Sequence, residues 1–234
     1  MTLDELVRQL KLAYGDGLRS VVLFGSAVAG EHDAKKSDYN VLVVVDALPL
    51  ERLRAVSAVS KAWADAGNPP PMTFTAKEFR TSADIFPMEY ADILERHRLL
   101  YGEEPCEGIT VKKQDLRLEV EQQAMGKLLR LRQATMGAGG DGALQRETLQ
   151  RSLSALMVVF RGVARLHDVV PSQDYEALTR SVAERAGFDP APFVRVIAAS
   201  RGGEKIHKAE AAPLLEAYLG AMERLVAYLN GFRG

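Results

Sequence analysis

Leu23-Phe24-Gly25-Ser26-Ala27, followed after a short spacer by Ser37-Asp38-Tyr39-Asn40 and the run Val41-Leu42-Val43-Val44-Val45, is the stretch whose reading decides the fold. Residues 20–24 and 40–45 are continuous apolar runs rather than alternating ones, which predicts two central strands buried on both faces. A strand that ends in Gly25-Ser26 and opens a helix offers backbone N–H groups to an anion, and glycine lets a phosphate come close to the main chain. Ser26 adds a hydroxyl. Lys35 and Lys36 precede Asp38 and read either as a solvated loop pair or as contacts for a triphosphate. On a strand, residues two apart share a face, so Asp38 and the side chain at position 40 point to one spot. Two carboxylates there would hold Mg2+ bridging triphosphate oxygens. This chain has Asp38 and Asn40, and an amide can ligate a metal through its carbonyl oxygen but brings no negative charge.

Working outward, residues 3–14 form an amphipathic pattern (Leu3, Leu6, Val7, Leu10) that ends at Gly15-Asp16-Gly17. Residues 50–66 read as one helix stopped by Gly67-Asn68-Pro69-Pro70-Pro71. Residues 72–75 suggest a third strand, 76–85 a short helix and 87–92 a fourth extended piece. The run Glu95-Arg96-His97-Arg98 reads as a turn before a strand at 99–101. That predicts an α/β domain of about four strands with helices on one side. Residues 113–135, 144–167, 173–186, 191–200 and 209–230 carry helical periodicity with short loops, an antiparallel bundle. The stripes Leu153, Leu156, Met157, Phe160 and Val163 on one helix, and Leu215, Tyr218, Met222 and Leu225 on the last, read as bundle core, the latter also as a candidate dimer seam. Charge changes at the same place as texture: residues 1–111 carry 12 Lys/Arg against 17 Asp/Glu, and residues 112–234 carry 18 against 14. Two domains follow, 1–108 and 112–234, with the loop 102–108 as the connection.

The 234 residues are 47% apolar and 26% charged, ordinary for a folded globular chain and unlike a disordered one. A formal net charge of −1 gives no global basic field for nucleic acid or membrane. The single cysteine, Cys106, excludes an intrachain disulfide framework and a cysteine-rich metal cluster. The acidic start carries no signal-peptide pattern, and no apolar run approaches membrane-spanning length, so a cytoplasmic location is expected.

The combination of hydrophobic-Gly25-Ser26, a short spacer, Asp38-x-Asn40 and a strand resembles the DNA polymerase β-type nucleotidyltransferase superfamily. Its small bacterial members join such a domain to a helical domain of the HEPN or kanamycin-nucleotidyltransferase type. The resemblance implies an α+β fold class, a small mixed-sheet nucleotidyltransferase-like domain followed by an all-α helical bundle. It implies transfer of a nucleoside monophosphate from a nucleoside triphosphate to a hydroxyl acceptor. Asp38 would be the catalytic carboxylate, Asp38 and Asn40 the Mg2+ ligands, and Gly25, Ser26 and Lys36 the nucleotide contacts. The chain departs from the family pattern twice. Asn40 stands where a second carboxylate is expected, and Thr73 in Met72-Thr73-Phe74-Thr75 stands at the third, with Glu89 or Asp92 as substitutes from the following segment. Weakened or absent transferase activity therefore stands beside the active reading. The alternative is an inactive nucleotidyltransferase fold that binds nucleotide or a protein partner and regulates, as a homodimer through the helical domain. A third reading takes Arg161 and His167 as the Arg-His pair of HEPN-type ribonucleases. Arg201 and His207 share that spacing, so surface charge explains both pairs.

Overall fold

The computed structural model describes residues 1–29 and 39–233. The chain divides into two compact units, Met1–Lys112 and Lys113–Gly234.

The first unit is built on two strands whose residues are nearly all buried. β1 (Leu18–Phe24) and β2 (Asn40–Val45) are almost wholly buried apolar residues. Strands buried on both faces have only neighbouring strands to satisfy their N–H and C=O groups. β1 therefore pairs antiparallel with β2 on one side and with β4 (His97–Gly102) on the other, and β2 pairs in parallel with β3 (Met72–Thr75). The result is a mixed sheet of order β3-β2-β1-β4.

Helices cover both faces of this sheet, which corrects the one-sided arrangement expected from sequence. On one face, Leu6, Leu10 and Tyr14 of α1 (Leu3–Tyr14) and Val59 and Trp63 of α3 (Ser57–Asp65) pack on Val21, Leu23, Val41, Val43 and Val45. On the other, Phe79 of α4 (Ala76–Thr81) and Tyr90 and Ile93 of α5 (Pro87–Glu95) pack on Val22, Phe24, Leu42 and Val44. The helix expected over 50–66 is split into α2 (Leu50–Ala55) and α3. Arg52 donates to the carbonyls of Ala13 and Tyr14 at 3.2 and 3.0 Å, whereas Trp63 is anchored in the core, and the chain absorbs the two demands at Val56 (φ −89°, ψ −1°).

Residues 87–92 are not extended. Pro87 occupies the first turn of α5, where its missing N–H costs nothing. The Tyr90 hydroxyl donates to the Phe79 carbonyl at 2.6 Å, and its ring stacks on Phe79 at 4.9 Å. α4 closes earlier than expected, at Thr81, after a start fixed by reciprocal bonds between Thr75 and Glu78.

The second unit contains the five expected helices: α6 (Lys113–Ala138), α7 (Gly142–Leu166), α8 (Tyr175–Ala186), α9 (Ala191–Ser200) and α10 (Lys208–Gly231). α7 is the central element and packs against the other four. Leu149, Leu153, Leu156, Met157, Phe160 and Val163 bury its inner face. Phe160 sits 5.2 Å from Phe193, which in turn lies 4.3 Å from Tyr218 of α10, so one aromatic cluster joins α7, α9 and α10.

Phe160→Ala is expected to cost about 3–5 kcal/mol, because the surrounding rings cannot close the space it leaves. Val158→Ala, on the exposed side of the same helix, is expected to change stability by less than about 0.5 kcal/mol. Urea unfolding followed by helical circular dichroism reads both.

Candidate active site

Three strand ends meet at one rim of the sheet. Phe24, the last residue of β1, pairs with Asn40 at the start of β2 and with His97 at the start of β4. Paired residues in a ladder project from the same face, so Asn40 and His97 flank Phe24 on the face covered by α4 and α5. Gly25 follows Phe24 with φ +80°, a conformation that glycine adopts without strain. A Cβ at Gly25 would stand 3.5 Å from Asn40 Nδ2, so the Asn40 amide lies directly against the Gly25 backbone.

The chain leaves Gly25 as a 3-10 turn, Gly25–Ala29, which contains Ser26. The Gly25 N–H donates to the Arg96 carbonyl at 3.1 Å. Gly25 is thus committed to holding β1 beside the entry to β4. Its N–H is therefore not free to donate to a ligand. Asp38 and Lys36, with Lys35 and Ser37, lie outside the described residues. Tyr39 is held on the opposite face from Asn40: its N–H donates to Asn68 Oδ1 at 2.9 Å and its ring stacks on Trp63 at 6.0 Å.

The register of β3 corrects the assignment of Thr73 to the third carboxylate position. Val43 pairs with Thr73, while Leu42 and Val44 pair with Met72 and Phe74. Asn40 shares its face with Leu42 and Val44, so Thr73 projects away from it. There Thr73 Oγ1 donates to the Pro71 carbonyl at 3.1 Å, and the residue lines a cleft with Leu10, Tyr14 and Val59. The β3 positions that do share the Asn40 face are Met72 and Phe74, both packed in the apolar core. β3 therefore supplies no carboxylate to this rim.

α5 carries acids over that face instead. Glu89 sits in its first turn, and its Oε2 is buried with no hydrogen-bond partner among the described residues. A desolvated carboxylate oxygen without a partner is costly, so this one calls for a water, an ion or a ligand to complete it. Asp92 lies one turn further along. Sequence reasoning placed His97 in a turn. Nothing local announces that it opens a strand opposite Phe24, because the pairing of β4 with β1 is a long-range fact.

No protein-family model matches this sequence, and no curated protein matches it. A solved structure does: the spectinomycin adenyltransferase of Enterococcus faecalis, crystallised with ATP and spectinomycin, superposes with a TM-score of 0.61 at 13% identity, covering 96% of this chain and 99% of that one. The chain has a nucleotidyltransferase-like fold. The likeness is one of fold, reaching over both units, and it is the fold class expected from the Gly25-Ser26 stretch.

In the helical unit of this nucleotidyltransferase-like fold, Arg161 and His167 do not converge. Six residues at about 100° each place them about 120° apart around a helix axis, and His167 is the residue that ends α7. Its Nε2 is hydrogen-bonded to the Tyr228 hydroxyl of α10, and its ring packs edge-on against Phe232 at 5.3 Å. That is a structural lock between the ends of two helices. A cavity of about 440 Å3 lies between α6 and α7, bordered by Lys127, Arg130, Glu147 and Arg151, and contains no residue of the strand-end rim.

Burial holds His167 below the usual histidine range, the cations of Arg185 and Lys113 push it the same way, and Asp168 opposes them. A depressed histidine contributes stability that is present above its unfolded value of about 6.5 and is lost as pH falls through the folded value. The difference in melting temperature between the native chain and His167→Gln is therefore expected to shrink between about pH 7 and pH 5. Thermal melts of both proteins across that range check it, and parallel curves would refute the lock.

Proposed function

We propose that the chain is a nucleotidyltransferase of reduced metal affinity, moving a nucleoside monophosphate from a nucleoside triphosphate to a hydroxyl on a small acceptor. The observation that carries this is the superposition, over nearly the whole chain, on an enzyme solved with ATP and spectinomycin. The Gly25-Ser26 turn supports it, set at a strand end against the side chain of Asn40.

Residues 1–108 would hold the chemistry, and the bundle at 112–234 would be the accessory domain. Gly25 and the turn that follows it would receive the phosphates, with Ser26 and Lys36 as contacts. Asp38 and Asn40 would hold a divalent cation, Mg2+ by the chemistry of oxygen ligands and phosphates. The donor set fits such an ion: Asn40, whose amide lies against the Gly25 backbone, offers a neutral oxygen and Asp38 a charged one. When bound, the ion would neutralise charge on the phosphates. In the transfer, the acceptor hydroxyl oxygen forms a bond to the α-phosphorus, the bond from that phosphorus to the bridging oxygen breaks, and pyrophosphate leaves. The hydroxyl proton passes to a carboxylate, and Glu89 is the one we assign to that task.

A second reading has an observation of its own. Asn40 and the apolar β3 residues Met72 and Phe74 strip two formal charges from the rim. A protein so altered would bind nucleotide without turnover and act as a regulatory module.

Calorimetric titration of ATP, GTP, CTP and UTP, with and without Mg2+, separates the readings. Mg2+-dependent binding by the native chain is expected, tightened at least about tenfold by Asn40→Asp, as for the repair of a metal environment, and abolished by Asp38→Ala. Pyrophosphate release with a panel of hydroxyl acceptors, lost in Glu89→Gln while nucleotide binding persists, would establish the enzyme. Binding with no release by either native chain or Asn40→Asp would establish the module. No binding by either protein would overturn both.

A further inference from the structure

Behind the rim, β4 ends in a turn that sends the chain back the way it came. Gly102 makes this possible: it has φ +85°, and a Cβ there would fall 1.8 Å from the Arg19 carbonyl oxygen. The Glu103 N–H donates to that same carbonyl at 3.2 Å, and the Ser20 hydroxyl donates to the Glu103 carbonyl. Glu104 and Cys106 are thereby laid over the face covered by α5, where Cys106 is buried among Val22, Phe24, Tyr90 and Ile93. The start of the strand and the segment beyond its end are brought together. A ring nitrogen of His97, a Glu104 carboxylate oxygen and Cys106 Sγ all lie within 4.8 Å of one another.

Each of these three groups is oriented by a bond to another atom. His97 Nδ1 stands 2.8 Å from the Ile93 carbonyl oxygen. A carbonyl can only accept, so Nδ1 carries the proton and, in the neutral ring, Nε2 presents a bare lone pair. That lone pair faces Glu104 Oε2 at 3.3 Å. The other carboxylate oxygen accepts the Cys106 N–H at 3.0 Å. Two acceptors therefore point at each other with a thiol beside them. An imidazole whose remote N–H is fixed by a backbone carbonyl is the usual second layer of a metal site.

We propose that His97, Glu104 and Cys106 form a binding site for Zn2+, separate from the Mg2+ site of the rim. The 3.3 Å separation of Nε2 and Oε2 is about the edge of a tetrahedron whose centre lies about 2.0–2.1 Å from both atoms. One nitrogen, one oxygen and one sulfur make a borderline-soft set that suits zinc and excludes magnesium. Three protein ligands leave the fourth position for water or an exogenous group. Binding expels the Cys106 proton to solvent. Because the thiol must lose its proton to bind the ion, affinity rises with pH. The bound ion would pin the segment after β4 to the start of β4. His97 is the partner of Phe24, and Arg96 receives the Gly25 N–H, so the pin would stiffen the frame that carries Gly25 and Ser26.

The test is Co2+ titration of the metal-stripped full chain, followed by absorption spectroscopy. Cys106 is the single cysteine, so a thiolate-to-cobalt charge-transfer band has one source. Binding of one equivalent, with that band and visible bands of tetrahedral intensity, both displaced by Zn2+, is expected. Cys106→Ser is expected to abolish the band, and His97→Gln to weaken Zn2+ binding by more than the roughly 10–100-fold that loss of an outer-layer partner costs. Asp38→Ala should leave the band intact, which separates this site from that of the transfer reaction. Absence of the band from the native chain overturns the proposal, as does its persistence in Cys106→Ser. Should Cys106→Ser not fold, the native spectrum and His97→Gln decide.

Discussion

Two-sided burial of β1 and β2 is the constraint on which the first unit depends. Each large apolar side chain removed from water contributes about 1.5–3 kcal/mol, and here the contributions come from both faces at once. Neither strand can slip by one residue without exchanging its two faces. The register Phe24–Asn40 and Phe24–His97 is therefore fixed by packing several residues away. The rim inherits that fixity: Gly25 leaves the sheet at one point, in one conformation, with Asn40 on one flank and His97 on the other. Polar groups at the rim are held by hydrophobic contacts they do not make.

The same alternation decides which residues can serve the rim. Parity along β2 sends Tyr39 to the Trp63 face and Asn40 to the α5 face, and the parallel register carries the rule to β3. A carboxylate on β3 at Thr73 would face the α1 and α3 layer, whatever its chemistry. The acids that cover the correct face belong to α5, and their placement follows from Tyr90 and Ile93 entering the core of that face. Glu89 is brought there as a neighbour of core residues, and its buried oxygen is left without a partner among the described residues.

How much was legible in the sequence follows from the range of each interaction. The central strands declare themselves through continuous valine and leucine, and the five bundle helices through periodicity bounded by Gly142, Gly187 and the prolines at 190 and 192. These are local signals. Residues 87–92 misled because an aromatic followed by a proline, Phe86-Pro87, looks extended, whereas proline in the first turn of a helix is equally natural. The face of Thr73 was not legible because it depends on a parallel register with a strand about thirty residues away. The convergence of His97, Glu104 and Cys106 was hidden for the same reason. Its one local trace is Gly102, a glycine directly before two acids, and only the close approach to Arg19 shows why glycine is required there.

The charge at the rim is where sequence and fold pull in different directions. A site for a triphosphate and a divalent cation gathers negative charge and needs fixed carboxylates to hold the ion before the nucleotide arrives. Exchanging a carboxylate for the Asn40 amide keeps the shape and removes one charge. At about 4 Å and the effective dielectric near a protein surface, that charge is worth about 4 kcal/mol to a unit cation before solvation is counted. β3 makes no repair, since Met72 and Phe74 on the relevant face are core. Among the described residues, compensation would come from α5, and the phosphates of a bound nucleotide would add charge of their own. A chain built this way would take its cation together with the nucleotide rather than ahead of it. On the proposed reading, cation affinity measured without nucleotide would understate what the assembled site can hold, and Asn40 would change the order of binding rather than abolish it.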